Sequence, residues 1–155
     1  MIRIRPCALA DLDVVRAIAA AAPEAAGWSR ETYATILQDP QQTCCYIADQ
    51  EGTIVGFVCL RVMSDEAEVL NLAVLPSTRR LGVGSRLLDH ALREAVQQGA
   101  HRVFLEVRET NQAALALYYQ FGFAVSMRRV GYYSGPPADA LVLVKDLSGK
   151  APSAA

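Results

Sequence analysis

Apolar positions along this chain recur with two periods, near two in some stretches and near three and a half in others, and the changes of period delimit the elements. Ile2 to Arg5 alternates as a short strand. Asp11 then stands as an N-cap before Leu12, Val14, Val15, Ile18 and Ala19, which recur at helical spacing. Pro23 and Gly27 interrupt that pattern, and Ser29, Thr32, Tyr33, Ile36 and Leu37 predict a second helix ending before Pro40. The loop between these helices carries Trp28. Cys44 to Asp49 and Thr53 to Met63 read as strands of a hairpin around Gln50, Glu51 and Gly52, with a third antiparallel strand over Glu66 to Leu75.

Pro76 stops that strand, and Gly82 opens a helix whose apolar stripe is Leu87, Leu88, Ala91, Leu92, Ala95 and Val96, with Gly99 as its natural end. Arg102 to Val107 is a strand rich in branched residues. Asn111 caps a further helix through Ala114, Leu115, Leu117 and Tyr118 towards Gly122. Strand pattern returns from Phe123, and a last strand runs from Ala140 to Lys145 after the turn-rich residues Tyr133 to Pro137. The predicted order is β-α-α-β-β-β-α-β-α-β-β, an α/β arrangement with a mixed sheet covered by helices and a β-α-β unit at its centre.

With 155 residues and 52% hydrophobic content, the chain suits one compact domain, expected over residues 1–147, with 148–155 as a frayed tail. Fifteen basic against sixteen acidic side chains leave a net charge of -1, so no global basic field calls for nucleic acid. No stretch reaches the length of a membrane span, and the N-terminus lacks the pattern of a signal peptide. Four cysteines without C-x-x-C spacing, Cys44 and Cys45 adjacent, suit buried thiols in a reducing cytoplasm. His90 and His101 are too few and too ill-spaced for a metal site, so no metal is expected.

The most informative local run is Arg79 to Ser85, R-R-L-G-V-G-S, between a strand and a helix. A helix starts with free N–H groups and a positive dipole end, which favour an anion, and the adjacent arginines add matching charge. The run is not a Walker A loop, and the third position counted from Gly82 for a dinucleotide fingerprint is Leu87. Taken alone, it reads first as a basic turn capping a helix.

Its neighbours extend the pattern. R-R-L-G-V-G resembles the acyl-CoA loop of the Gcn5-related N-acetyltransferases. Leu70 to Pro76 resembles that family's preceding strand, and Asn111 to Phe123, N-Q-A-A-L-A-L-Y-Y-Q-F-G-F, its later helix motif. Within the family, Leu105 to Arg108, the N-x-A-A-x-x-L-Y run and Arg128 to Tyr133 resemble the ribosomal-protein-alanine N-acetyltransferases, as does Gly27-Trp28-Ser29, with Gly27 where their usual proline stands. The resemblance implies a bent mixed, mostly antiparallel sheet split into a V, with acetyl-CoA in the split between the strands Glu66 to Leu75 and Arg102 to Val107. It implies backbone pairing of Leu72 and Val74 with the pantetheine. Arg79, Arg80, Leu81, Gly82, Val83, Gly84 and Ser85 would hold the pyrophosphate, with Asn111 and Tyr118 lining the cofactor groove.

Acetyl transfer needs a neutral amine, whereas a lysine amine has a pKa of about 10.4 and an α-amine one of about 8, so a base is required. The resemblance assigns this role to Glu106, with Glu68 of the preceding strand as the rival. Read without the family, Glu106 is equally a surface glutamate paired with Arg108 or Arg102. Strict alternation would put Glu66, Glu68, Leu70 and Leu72 on one face. Tyr118 matches the family's acid for the departing thiolate, while Tyr119 reads as an ordinary amphipathic core tyrosine. Trp28, Tyr132 and Tyr133 would flank the acceptor channel. No cysteine has a neighbouring activator, so direct attack is expected rather than an acetyl-cysteine, with a backbone N–H from Leu70 to Val74 meeting the oxyanion.

The expected function is acetyl-CoA-dependent N-acetylation, with the α-amine of a protein or peptide, of ribosomal-protein-alanine type, as leading acceptor. A lysine side chain, a polyamine or another small amine is an alternative acceptor, and a non-catalytic acyl-CoA sensor is an alternative of another class. The sequence leaves oligomeric state open.

Overall fold

A computed structural model describes residues 1–22, 29–39, 42–78 and 81–148. Their elements follow the predicted order: β1 (Ile2–Pro6), α1 (Leu12–Ala21), α2 (Arg30–Leu37), β2 (Thr43–Gln50), β3 (Thr53–Met63), β4 (Glu66–Val74), α3 (Val83–Gln97), β5 (Arg102–Arg108), α4 (Gln112–Gln120), β6 (Ala124–Ser134) and β7 (Pro137–Asp146). Two short 3-10 turns, Leu9–Asp11 and Pro76–Thr78, precede α1 and α3. The last hairpin is longer than its turn-rich sequence suggests, because β6 and β7 remain paired as far as Ser134 and Pro137.

Seven strands form one sheet in the order β1-β2-β3-β4-β5-β7-β6. Every neighbouring pair is antiparallel except β4 with β5, which α3 links as a parallel crossover. Helices α3 and α4 cover one face over a core that includes Leu87, Leu88, Val103, Leu105 and Tyr118. Helices α1 and α2 cover the other, over Val15, Ile18, Tyr33, Phe57 and Cys59. Six residues of α3 are buried on one stripe, each large one stabilising by roughly 1.5–3 kcal/mol. Val96, assigned to that stripe by spacing, is instead about half exposed, and Ala95 beside it takes the inward position of that turn.

Two features of this frame shape the cleft. First, β4 and β5 pair only over Glu66–Arg102, Ala67–Val103 and Glu68–Phe104, and beyond that point they separate. Second, β4 carries a bulge. Leu60 pairs with Val69 and Cys59 with Asn71, so Leu70 has no partner on β3. The extra residue reverses the alternation. Ala67 and Val69 face the α3–α4 core, whereas after the bulge it is Leu72 and Val74 that pack there, with Ala73 on the α1–α2 side. Leu72 therefore does not share a face with Glu66 and Glu68, contrary to the strict alternation expected from sequence.

Capping follows local chemistry with one difference. Ser29 accepts the Thr32 N–H and Asn111 the Ala114 N–H at 3.0 Å, as their sequence positions predict. Asp11 occupies the N-cap of α1, but its carboxylate turns backwards to the Ala8 N–H at 2.7 Å and to Arg5 at 3.0 Å. A cation on β1 outcompetes a forward cap.

Candidate active site

The separation of β4 from β5 opens a cleft of about 930 Å³, within the usual range for small-ligand sites. Its walls come from β4 (Glu68 to Val74), the start of α3, the end of β5 (Leu105 to Arg108), α4, and Tyr132 with Tyr133 of β6. Along β4 the donors and acceptors are aimed by register. Leu75 N–H donates to the Val55 carbonyl at 2.8 Å, so by alternation Ala73 also points towards β3 while Leu72 and Val74 turn their backbone groups to the cleft. With β5 absent there, these groups are free to pair with an extended ligand.

At one end of the cleft, Gly82 takes a left-handed φ of 78° as the N-cap of α3, a conformation that glycine adopts without cost. The first bond of the helix runs from Arg86 N–H to the Gly82 carbonyl at 3.0 Å. The N–H groups of Val83, Gly84 and Ser85 precede that ladder, and all three residues line the cleft. Thr78 lines it too, a polar residue that sequence reasoning passed over because its hydroxyl looks like ordinary loop chemistry. Leu81 is 58% exposed and outside the lining, and its N–H donates to the Thr78 carbonyl at 3.3 Å. Arg79, Arg80 and Trp28 lie outside the described residues.

Ionisable groups line the same cleft. Val103, Leu105 and Val107 of β5 are buried in the α3–α4 core, so Glu106 between them projects from the opposite face. Tyr118, 6% exposed, belongs to the α3–α4 face, its ring 5.6 Å from that of Phe123. An intact sheet would hold these two side chains apart, but through the split both line one space. Tyr119, expected as a core tyrosine, is about half exposed, because Tyr118 takes the inward position. Asn111 lines the cleft while capping α4, so the cap does not take it out of the groove.

Glu106 pairs with Arg129 of β6, Oε1 to Nε 3.4 Å, rather than with Arg102 or Arg108. Arg102 is engaged with Glu66 at 2.6 Å, and Arg108 lies over the Tyr133 ring at 4.4 Å. Tyr132 and Tyr133 stack edge to face at 5.2 Å, with the Arg129 guanidinium 5.7 Å from the Tyr132 ring. Burial first, and then the Glu106 carboxylate, raise the Tyr133 phenol above its ordinary value. Glu68, the rival carboxylate, also lines the cleft and is held by Arg61 at 2.6 Å.

No cysteine lines this cleft. Cys45 and Cys59 are buried beneath α1 and α2, and the neighbouring Cys59 thiol raises the Cys45 thiol well above its ordinary value, which keeps it protonated and unreactive. Among the described residues, no three metal-ligating side chains gather and no helix is long and apolar enough to cross a membrane.

Comparison with known proteins agrees with this geometry. Residues 12–123 match the acetyltransferase (GNAT) family. The [ribosomal protein bS18]-alanine N-acetyltransferase of Escherichia coli K12 is 33% identical over 123 residues, covering 78% of this chain and 82% of that protein. The crystal structure of the Escherichia coli ribosomal-protein-S18-alanine N-acetyltransferase superposes with a TM-score of 0.85 at 30% identity, covering 100% of this chain and 99% of that one. Arabidopsis thaliana NAA60 in complex with acetyl-CoA shares the fold, with a TM-score of 0.86 at 18% identity, covering 96% and 100%. A split sheet whose cleft is lined by a helix N-terminus, a tyrosine and a carboxylate thus coincides with sequence kinship over most of the chain, and the protein belongs to the acetyltransferase (GNAT) family as an acetyl-CoA-dependent N-acetyltransferase.

Proposed function

We propose that this enzyme acetylates the α-amine of a protein or peptide N-terminus, with an alanine-initiated ribosomal protein as the leading acceptor. The observation that carries the reading is that Glu106 and Tyr118 reach one cleft from opposite faces of the sheet. Donor and acceptor can then approach from opposite sides and meet at the split. On the α3–α4 side, the backbone of Leu72 and Val74 and the N–H groups of Val83, Gly84 and Ser85 suit the pantetheine and pyrophosphate of acetyl-CoA. Asn111 and Tyr118 complete that wall.

On the α1–α2 side, Glu106 takes the proton from the acceptor amine, directly or through water, while Tyr132 and Tyr133 flank the amine's route. Tyr118 gives a proton to the departing thiolate. A backbone N–H of β4 near the bulge stabilises the charge that develops on the carbonyl oxygen. The ribosomal-protein-alanine N-acetyltransferases that are similar over most of this chain support a protein acceptor.

Thiol release from acetyl-CoA, measured across N-terminal-alanine peptides, lysine peptides with blocked N-termini and polyamines, tests the assignment. Preference for the free alanine terminus is the expected result. Preference for lysine or polyamine would refute the α-amine reading and direct attention to Glu68, which lines the same cleft.

A further inference from the structure

Tyr132 and Tyr133 stand on a part of β6 that does not follow β7 residue for residue. Arg129 pairs with Ala140 and Tyr133 with Ala138, so four steps on β6 match two on β7, and Val130, Gly131 and Tyr132 arch off the ladder. The arch turns at Gly131, whose φ of 65° is left-handed. β6 is also an edge strand, so no further strand holds the arch from outside.

One residue of β7 supplies the missing hold. Asp139 Oδ1 accepts the Gly131 N–H at 2.8 Å, and Oδ2 accepts Arg128 Nη1 at 2.9 Å. Arg128 also reaches the carboxylate of Glu109. The Asp139 backbone carbonyl accepts the Glu109 N–H at 3.0 Å, in the turn that leads to the Asn111 cap of α4. Asp139 therefore ties the tyrosine arch and the β5–α4 turn to one point, and both segments lead into residues that line the cleft with Glu106, Tyr132 and Tyr133 from the arch and Asn111 from the turn. Arg128, Gly131 and Asp139 do not themselves line the cleft.

We propose that Asp139 and Arg128 form a latch that sets the position of the Val130–Tyr132 arch and thereby determines which acceptor amines reach Glu106. Both are positioning residues, acting through Tyr132 and Tyr133. The latch rests on the reading that the acceptor passes between those tyrosines and Glu106.

The test separates KM for acceptor from KM for acetyl-CoA, using a short peptide with a free N-terminal alanine. Tyr132→Ala and Tyr133→Ala come first and should raise the acceptor KM. Asp139→Ala should raise it about tenfold, the scale of one charge-assisted hydrogen bond, with KM for acetyl-CoA unchanged. Asp139→Asn, which keeps one oxygen for the Gly131 N–H but turns an amide N–H towards Arg128, should recover only part of that loss. Arg128→Gln, at a half-exposed side chain that is expected to fold normally, should shift KM in the same direction.

A rise in the tyrosine variants with wild-type acceptor KM in Asp139→Ala and Arg128→Gln overturns the latch alone. Unchanged KM in the tyrosine variants, or no turnover of the peptide by wild type, overturns the acceptor route and the latch with it. Equal losses in Asp139→Asn and Asp139→Ala, matched by equal falls in Tm, assign Asp139 to folding and overturn the latch as well.

Discussion

Replacing Glu106 by Gln separates catalysis from stability at a single position. The lost ion pair with Arg129 spans 3.4 Å between side chains that are 29% and 45% exposed. Such a pair contributes under about 1 kcal/mol, which in a chain of this size is a Tm shift of roughly 3 °C. Loss of a general base costs far more, about 10²–10⁴-fold in kcat, or roughly 3–5 kcal/mol on the barrier. The variant should therefore fold normally, bind acetyl-CoA normally and turn over poorly at pH 7. The deficit should also depend on pH. About one α-amine in ten is neutral at pH 7 and nearly all are at pH 9.5, so the deficit should shrink about tenfold across that range. The assay is thiol release from acetyl-CoA with an alanine-initiated peptide, beside thermal denaturation of the same preparation. A rate within about threefold of wild type at pH 7, with Tm unchanged, would refute Glu106 as the general base. A hundredfold loss in Glu68→Gln instead would move the base to β4.

Tyr118→Phe keeps the ring against Phe123 and removes the hydroxyl, so kcat should fall by about 10²-fold or more while KM for acetyl-CoA changes little. Asn111→Ala loses the bond from the Ala114 N–H and should cost about 1 kcal/mol, read as a Tm lower by roughly 3 °C. The Arg5 guanidinium, foremost among its neighbours, holds the Asp11 carboxyl below the usual carboxylate range. Because the folded value is depressed, that stabilisation is fully present above the unfolded value of about 3.9 and is lost as pH falls through the folded one. Urea denaturation should accordingly show Arg5→Gln less stable than wild type at pH 7, with the gap closing towards pH 2.

The sequence is most legible where the physics is local. The β2–β3 hairpin, the Ser29 and Asn111 caps and the start of α3 at Gly82 each depend on a few consecutive residues, and each stands where its residues predict. It is less legible where distant segments compete for one group. Asp11 turned from its helix to Arg5, and Glu106 found Arg129, twenty-three positions on, instead of the nearby Arg102 or Arg108. Tyr118 and Tyr119 are adjacent on one helix, and only the packing of α4 against β5 and Phe123 decided which of them faces inward.

By itself, then, the sequence determined the order of elements, the glycine-bearing helix start and the kinship carried by Leu70 to Phe123, because period, capping and turn chemistry act over a few residues. Tertiary structure alone decided that the Leu70 bulge turns Leu72 and Val74 to the α3–α4 face and that β4 and β5 part after Glu68. It also decided that Glu106 and Tyr118, from opposite faces of the sheet, line one cleft. A bulge and a split are properties of register between strands. Register is settled by how two faces of the sheet bury their side chains at once, which no single segment specifies.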